Sequence, residues 1–347
     1  MSKTLTANKK KLVDGSNFLL LVTICLFVFM YVMGIIIFHE KGFHRTQIFL
    51  NMFMDNAGLL IAAAGMTMVM ITGGIDISVG SVIGLVCMVL SFSMERMGMS
   101  WVVAVLVSLL FGLIFGAFQG WLISYMELQP FIITLAGLFG CRGLTAIISS
   151  EQIAITKSET FLAIAKMDIN LPGFLGYYNR HDVLIAPFIH PNVIIAIITV
   201  IVIGYVLKYT RFGRNLYAIG GNEQSALLMG INVKRTKFIA YMVEGFLASL
   251  AGVVFCLNTT AGFVEQARGF EMEAISSAVI GGTMLTGGVG SVIGTVFGVL
   301  IKATIETLIR SQGTLSSWWN KIVLSIILCF FIVLQSVFAM MKNKNKK

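Results

Sequence analysis

One carboxylate stands in an otherwise apolar, glycine-rich run, Thr72-Gly73-Gly74-Ile75-Asp76-Ile77-Ser78-Val79-Gly80-Ser81. Successive glycines free backbone groups, and inside a bilayer such a break is tolerated only where protein or a wet cavity satisfies them. Asp76 and Ser78 then have two uses: they hydrogen-bond a polar solute, or Asp76 caps the helix that starts near Ser78. Arg142 and Glu244 lie inside two other apolar runs. A charge facing lipid there costs about 2.5–3.5 kcal/mol on insertion scales, so both side chains should turn inward. They pair with each other, make polar packing contacts, or, at Glu244, relay protons. Asp76, Ser78, Arg142 and Glu244 are the candidates for a solute pathway. Lys302 and Glu306, four apart on one helix face, neutralise each other.

Other chemistries find no residues. Cys25, Cys87, Cys141, Cys256 and Cys329 sit in apolar runs without a CxxC, and His39, His44, His181 and His190 lack metal-ligand spacing. No catalytic group, metal or cofactor is expected. No GxxxxGK[ST] is present, so ATP-driven work must come from another chain.

The elements that must position these residues are membrane helices. The chain of 347 residues is 57% apolar and 12% charged, against about 25% charge in a soluble domain. A mean hydropathy of +0.90 agrees. Apolar runs of span length cover 17–38, 56–72, 77–94, 100–125, 130–149, 192–207, 238–257, 274–309 with a break at Gly287-Gly288, and 322–340. At about 20 residues per crossing, this is an all-α membrane protein of about ten helices, some broken by glycine. The pieces around 73–78 and 274–290 either span or re-enter. The first run is too long for a signal-peptide core and has no small-residue cleavage site, so it reads as a retained helix. The loop 150–191 carries balanced charge, as expected outside the cell; no extramembrane stretch reaches the roughly 50 residues of a small domain.

The net charge of +9 is concentrated. Basic residues cluster in the tails 1–16 (Lys3, Lys9, Lys10, Lys11) and 342–347 (Lys342, Lys344, Lys346, Lys347), and in 208–237. Short basic segments beside apolar spans mark a cytoplasmic face and a lipid-facing surface rather than a nucleic-acid partner. An even number of crossings puts both tails on that face. The permease domain between the tails is 17–341. Within 208–237, Asn222 is a good N-cap, Glu223 suits a positive helix end and Gly230 is a good stop, giving a short helix 223–229. Its Ala226, Leu227, Leu228 and Met229 dock into a partner's groove or rest on the membrane surface.

One internal echo connects distant parts of the chain. Val79-Gly80-Ser81-Val82-Ile83-Gly84 recurs as Val289-Gly290-Ser291-Val292-Ile293-Gly294, preceded by Thr72-Gly73-Gly74 and Thr286-Gly287-Gly288. Transporters built from two related halves with broken helices show such repeats; glycine-rich helix contacts also produce them without duplication.

Three passages together resemble the permeases of bacterial ABC importers for ribose, galactose and other simple sugars. They are Gly73–Ser81; Thr210-Arg211-Phe212-Gly213-Arg214 through Ala218-Ile219-Gly220-Gly221-Asn222-Glu223 to Gly230-Ile231; and Ala274-Ile275 through Ile280-Gly281-Gly282-Thr283 to Gly287–Ser291. Phe131-Ile132-Ile133-Thr134-Leu135-Ala136-Gly137 and Gly313-Thr314-Leu315-Ser316-Ser317-Trp318-Trp319 are similar to a permease subunit of the galactofuranose importer, although Glu244 departs from the small or neutral residue expected there. The resemblance implies an ATP-binding subunit, a second permease subunit in a homo- or heterodimer, and a periplasmic sugar-binding protein. It implies that 211–232 couples to the ATPase, with Arg211, Gly213, Asn222, Glu223, Ala226, Leu228 and Gly230 as the coupling residues. The rival is a secondary transporter driven by protons through Asp76 or Glu244.

Overall fold

The computed structural model describes residues 15–178, 184–314, 316 and 318–344. Most of the N-terminal basic tail, with Lys3, Lys9, Lys10 and Lys11, lies outside the described residues, as do Arg180, His181, Asp182, Leu315, Ser317, Lys346 and Lys347. The helices are α1 (Gly15–Ile37), α2 (Thr46–Asp55), α3 (Ala57–Ile71), α4 (Val79–Glu95), α5 (Trp101–Ser124), α6 (Pro130–Ile148), α7 (Glu159–Ala165), α8 (Pro191–Tyr209), α9 (Arg211–Gly221), α10 (Glu223–Leu228), α11 (Val233–Thr259), α12 (Phe270–Ile280), α13 (Val292–Gln312) and α14 (Trp318–Lys344). Among the described residues, six helices are long and apolar enough to cross a membrane. The α2–α3 pair, bent by 58°, is together long and apolar enough for a broken span or a re-entrant segment, and Val79–Glu95 and Trp318–Leu334 are shorter apolar helices. The protein is an all-α, multi-pass membrane protein.

Polarity is arranged by position in the bundle. Every residue of α3 is buried, which suits a helix apolar on all sides. Helices α5 and α6 instead leave broad apolar faces open, with Leu106, Ile114, Phe118, Ile132, Phe139 and Ile147 all exposed. Such faces need lipid or a partner subunit. Helix α5 meets α11 along a glycine seam. A Cβ at Gly112 would stand 2.4 Å from the Gly245 carbonyl oxygen, and one at Gly116 would stand 2.5 Å from that of Tyr241. Small residues at this spacing let two helix backbones approach closely.

Two ends of the bundle are distinguishable. At one end the loop 150–191 carries two-residue strands, and its β1 (Ile153–Ala154) pairs antiparallel with the strand Ala261–Gly262 just after α11. The Asn192 and Asn258 side chains both donate to the Met54 carbonyl at this end. At the other end, α9 and α10 lie between α8 and α11, and Lys234 pairs with Glu127 at 2.8 Å. The ammonium holds the Glu127 carboxyl below its ordinary range.

Local signals explain the boundaries. Pro130 and Pro191 open α6 and α8, where a missing N–H costs nothing. The Asn222 side chain accepts from Ser225 N at 2.7 Å and starts α10, while Gly230 takes φ +79° just beyond it. Two expectations need correction. The short helix ends at Leu228, one residue earlier than expected, and α9 precedes it as a separate helix. The second broken segment also begins earlier, at Phe270 rather than near 274.

Candidate functional site

The two glycine-rich breaks, 72–78 between α3 and α4 and 281–291 between α12 and α13, meet each other. Helix α3 ends at Ile71, and its last carbonyls lack intrahelical donors. The Ile71 carbonyl accepts from Gly288 N of the other break at 2.8 Å. The geometry requires glycine: Gly73 has φ +84° and Gly287 +83°, conformations that L side chains rarely adopt. A Cβ at Gly287 would stand 2.8 Å from Gly73 N. Both breaks lie at the α9 end of the bundle. The outer ends of α3 and α4 lie at the strand-bearing end, where Glu95 holds Thr156 and Lys157. Each broken pair therefore reverses direction in a turn that points at α9, a hairpin packed along its length for α12 and α13 and splayed for α3 and α4, which both pack on α11.

Asp76 is buried in the first break. Its Oδ1 accepts from Ser78 N at 2.8 Å and from Ser78 Oγ at 2.6 Å. Ser78 itself is the N-cap of α4, so Asp76 orients the capping residue rather than bonding to amides inside the helix. The Gln119 side chain of α5 donates to Ser78 Oγ at 3.2 Å. Thr134 of α6 donates to the Ile75 carbonyl at 3.4 Å. The first break is thus lined by its own Asp76 carboxylate and Ser78 hydroxyl, by the Gln119 amide of α5 and by the Thr134 hydroxyl of α6.

The other two candidates lie apart from each other. Arg142 does not pair with Glu244; its Nη1 donates to the carbonyls of Val264 at 2.8 Å and Gln266 at 2.6 Å. These carbonyls are within reach of the half-buried guanidinium and Glu244, on α11, is not among its partners; the bonds tie α6 to the loop before α12. Glu244 is fully buried on α11, and neither carboxylate oxygen has a hydrogen-bond partner among the described residues. It lies against α3 where Gly65 leaves space, since a Cβ there would fall 1.9 Å from Glu244 Oε2. One turn away, the unpartnered Tyr241 hydroxyl lies against Gly74 of the first break. Lys302 does bond Glu306, at 2.7 Å, and also Glu273 at 3.1 Å.

The coupling candidates divide by exposure. Leu228 is 90% exposed, with Leu227 and Met229 also exposed. Ala226 is buried against Ile219 and Val233, so it anchors α10 and offers no contact surface. Gly213 is buried under α9, where the Thr210 side chain caps its amide at 3.1 Å. Arg211 is exposed. Glu223 pairs with Lys237 at 2.7 Å.

Sequence reasoning missed the residues that join this segment to the breaks. A Cβ at Gly220 would stand 1.8 Å from the Ile71 carbonyl oxygen and 2.4 Å from Gly288 N. Tyr217 donates its hydroxyl to the Gly290 carbonyl at 2.9 Å. The Gly220-Gly221 pair inside an amphipathic stretch was the available signal, since glycine within a helix costs about 1 kcal/mol and needs a packing reason. Gln119 and Tyr241 gave no such signal.

Known proteins provide an independent comparison. The family described as "Branched-chain amino acid transport system / permease component" matches residues 48–332. The chain is 43% identical over 320 residues, covering 92% of each sequence, to the inner membrane ABC transporter permease protein YjfF of Escherichia coli (strain K12). It is 35% identical over 339 residues, 96% of each, to the fructose import permease protein FruG of Bifidobacterium longum (strain NCC 2705). It is 31% identical over 297 residues, 86% of this chain and 88% of the relative, to the ribose import permease protein RbsC of Escherichia coli (strain K12). No solved structure matches.

Proposed function

We propose, from the premise that this chain belongs to the ABC-transporter permease family and to its sugar permeases, that it imports a monosaccharide across a bacterial inner membrane. Galactofuranose, or a sugar of similar size, is the proposed substrate. The chain is a transport component and not an enzyme. The proposed assembly adds an ATP-binding subunit at the α9–α10 end, a second permease against the open apolar faces, and a periplasmic sugar-binding protein at the strand-bearing end. The segment 208–237 and both basic tails are then cytoplasmic, and loop 150–191 periplasmic.

One observation carries the reading: the exposed Leu227–Met229 surface is connected to the two breaks by a continuous line of packed contacts. Ala226 fixes α10 to α9, and α9 places Gly220 and Tyr217 on both breaks. A stroke applied at Leu228 reaches the Asp76 region without passing through a flexible segment. ATP on the partner biases the bundle only as far as its binding energy differs between the two packings. The glycine breaks are where such packings can differ, because they lack continuous helical hydrogen bonding. Asp76, Ser78 and Gln119 then meet the sugar hydroxyls. Arg142 holds the loop over α12, and Glu244 is a buried group beside the same path.

The test is Leu228→Glu in the assembled transporter. The expected result is loss of sugar-stimulated ATP hydrolysis with the permease still inserted. Unchanged stimulation would sink the coupling assignment. Collapsing the proton gradient while sparing ATP is expected to leave uptake intact, whereas abolished uptake would favour a proton-driven carrier.

A further inference from the structure

A lateral cavity of about 400 Å³ opens between α12, α13 and α14, away from both breaks. Its charged and amide lining consists of Glu273, Lys302, Glu306, Asn320 and Lys321, with the hydroxyls of Ser276 and Ser325 beside them. Lys302 is buried and its ammonium is saturated: it reaches Glu273 at 3.1 Å, Glu306 at 2.7 Å and Asn56 Oδ1 at 3.1 Å. An ammonium has three protons, so nothing remains for a ligand. The two carboxylates keep unused acceptor capacity, and their side chains are 28% and 23% exposed. Asn320 Oδ1 is buried without a hydrogen-bond partner. Lys302 against Glu273 and Glu306 leaves this inner cluster with one excess negative charge, offset only at the rim by Lys321. The cavity therefore presents acceptors and negative charge, and wants a cation rich in N–H donors.

Two further features narrow the ligand. Lys321, the next residue after Asn320, is at the same rim with its ammonium over the Trp318 ring at 4.7 Å, and supplies a cation for an anionic group. Ile275, Leu324 and Leu328 make the rest of the wall apolar. A primary ammonium, a phosphodiester one short linker away, and an acyl chain are the parts of one molecule. We propose that this cavity binds a phosphatidylethanolamine headgroup, its ammonium on Glu273, Glu306 and Asn320 and its phosphate at Lys321. A choline headgroup carries no N–H to donate, and a glycerol headgroup carries no cation to offset the carboxylates. The cavity lies at the strand-bearing end, so the lipid belongs to the leaflet on that side.

Native mass spectrometry of the full chain in detergent, with whatever subunits purify with it, tests this. Phosphatidylethanolamine, phosphatidylcholine and phosphatidylglycerol of identical acyl chains are added in equal amounts. The expected retention of phosphatidylethanolamine exceeds that of the other two by about fivefold. Glu306→Gln is expected to erase most of that preference. Leu324→Trp fills the cavity while sparing the ion cluster, and should reduce retention even if Glu306→Gln does not fold. Equal retention of the three lipids, or a preference that survives Leu324→Trp, overturns the proposal. Displacement of the lipid by free ethanolamine at equal concentration would also overturn it, because the site would then belong to a soluble amine.

Discussion

The two breaks share a glycine vocabulary but not a chemistry. Both hairpins turn at α9, both contain positive-φ glycine, and they are joined by Gly288 N donating to the Ile71 carbonyl. Only the first break carries a buried carboxylate, and only it is surrounded by Ser78, Gln119 and Thr134. The second is fixed through backbone: Tyr217 reaches the Gly290 carbonyl, and a Cβ at Gly294 would stand 1.9 Å from the Gly281 carbonyl oxygen. The six-residue echo does not fold alike in its two places. Helix α4 starts at the first residue of its copy, Val79, and α13 at the fourth of its copy, Val292. Ser81 accordingly sits inside a helix, while Ser291 is an extended N-cap. Similar letters thus lie wholly inside a helix in one copy and straddle the end of a break and the start of a helix in the other.

If α9 links the two, crowding their junction should do the most damage. Gly220→Val would drive a side chain into the Ile71 carbonyl and Gly288 N. Overpacking of that kind costs about 3 kcal/mol. Loss of uptake is expected, together with weaker assembly by size-exclusion chromatography. Gly221→Ala, where a Cβ meets nothing within 4 Å, should change stability by under about 0.5 kcal/mol. Equal behaviour of the two variants would remove the junction from the mechanism.

Asp76→Asn addresses the chemical half of the comparison. Asparagine retains an acceptor for Ser78 but loses the charge. Uptake is expected to fall about tenfold, or about 1.4 kcal/mol in barrier, with normal assembly. Unaltered transport kinetics would reduce Asp76 to a turn residue and make the two breaks chemically equivalent.

What the sequence made legible follows from where information is local. Caps and stops such as Asn222 and Gly230 act within a turn of themselves, and each stands at the helix end expected of it. The i,i+4 pair Lys302–Glu306 is likewise local. The Arg142–Glu244 pairing failed because partner choice for a buried charge is decided across helices, and a loop carbonyl gives no signal in the sequence. Ala226 and Leu228 look interchangeable on a short helix, but their opposite exposure depends on how α10 rolls against Ile219 and Val233. The connection from Gly220 to Ile71 joins residues far apart in the sequence and is visible only in three dimensions.

Tyr217→Phe probes the hinge more gently than Gly220→Val. It deletes one hydroxyl and leaves the Gly290 carbonyl without its donor. A stability loss of about 1 kcal/mol is expected by thermal unfolding, with more ATP hydrolysed per sugar imported. An unchanged ratio of ATP to sugar would mean that α9 acts on the breaks by packing alone.

The smallest effect concerns the outer ends of the same two hairpins. The second is secured by the buried Lys302 cluster, the first by Glu95, whose carboxylate accepts from Thr156 N, Thr156 Oγ1 and Lys157 N at 2.8, 2.8 and 3.1 Å. These donors hold Glu95 below its ordinary value of 4.5, the backbone N–H of Thr156 contributing most. A depressed carboxylate contributes stability that is present above its unfolded pKa and lost as pH falls through the folded one. Hydrogen-exchange protection of residues 155–158, corrected for intrinsic rates, should therefore hold at neutral pH and decline as pH falls below 4.5. Glu95→Gln should lower it slightly at neutral pH and remove the acid step. Identical profiles for the two proteins would show that the loop is held by its β1 pairing to Ala261–Gly262 instead, and that the outer end of the first hairpin, unlike its turn, depends on no carboxylate.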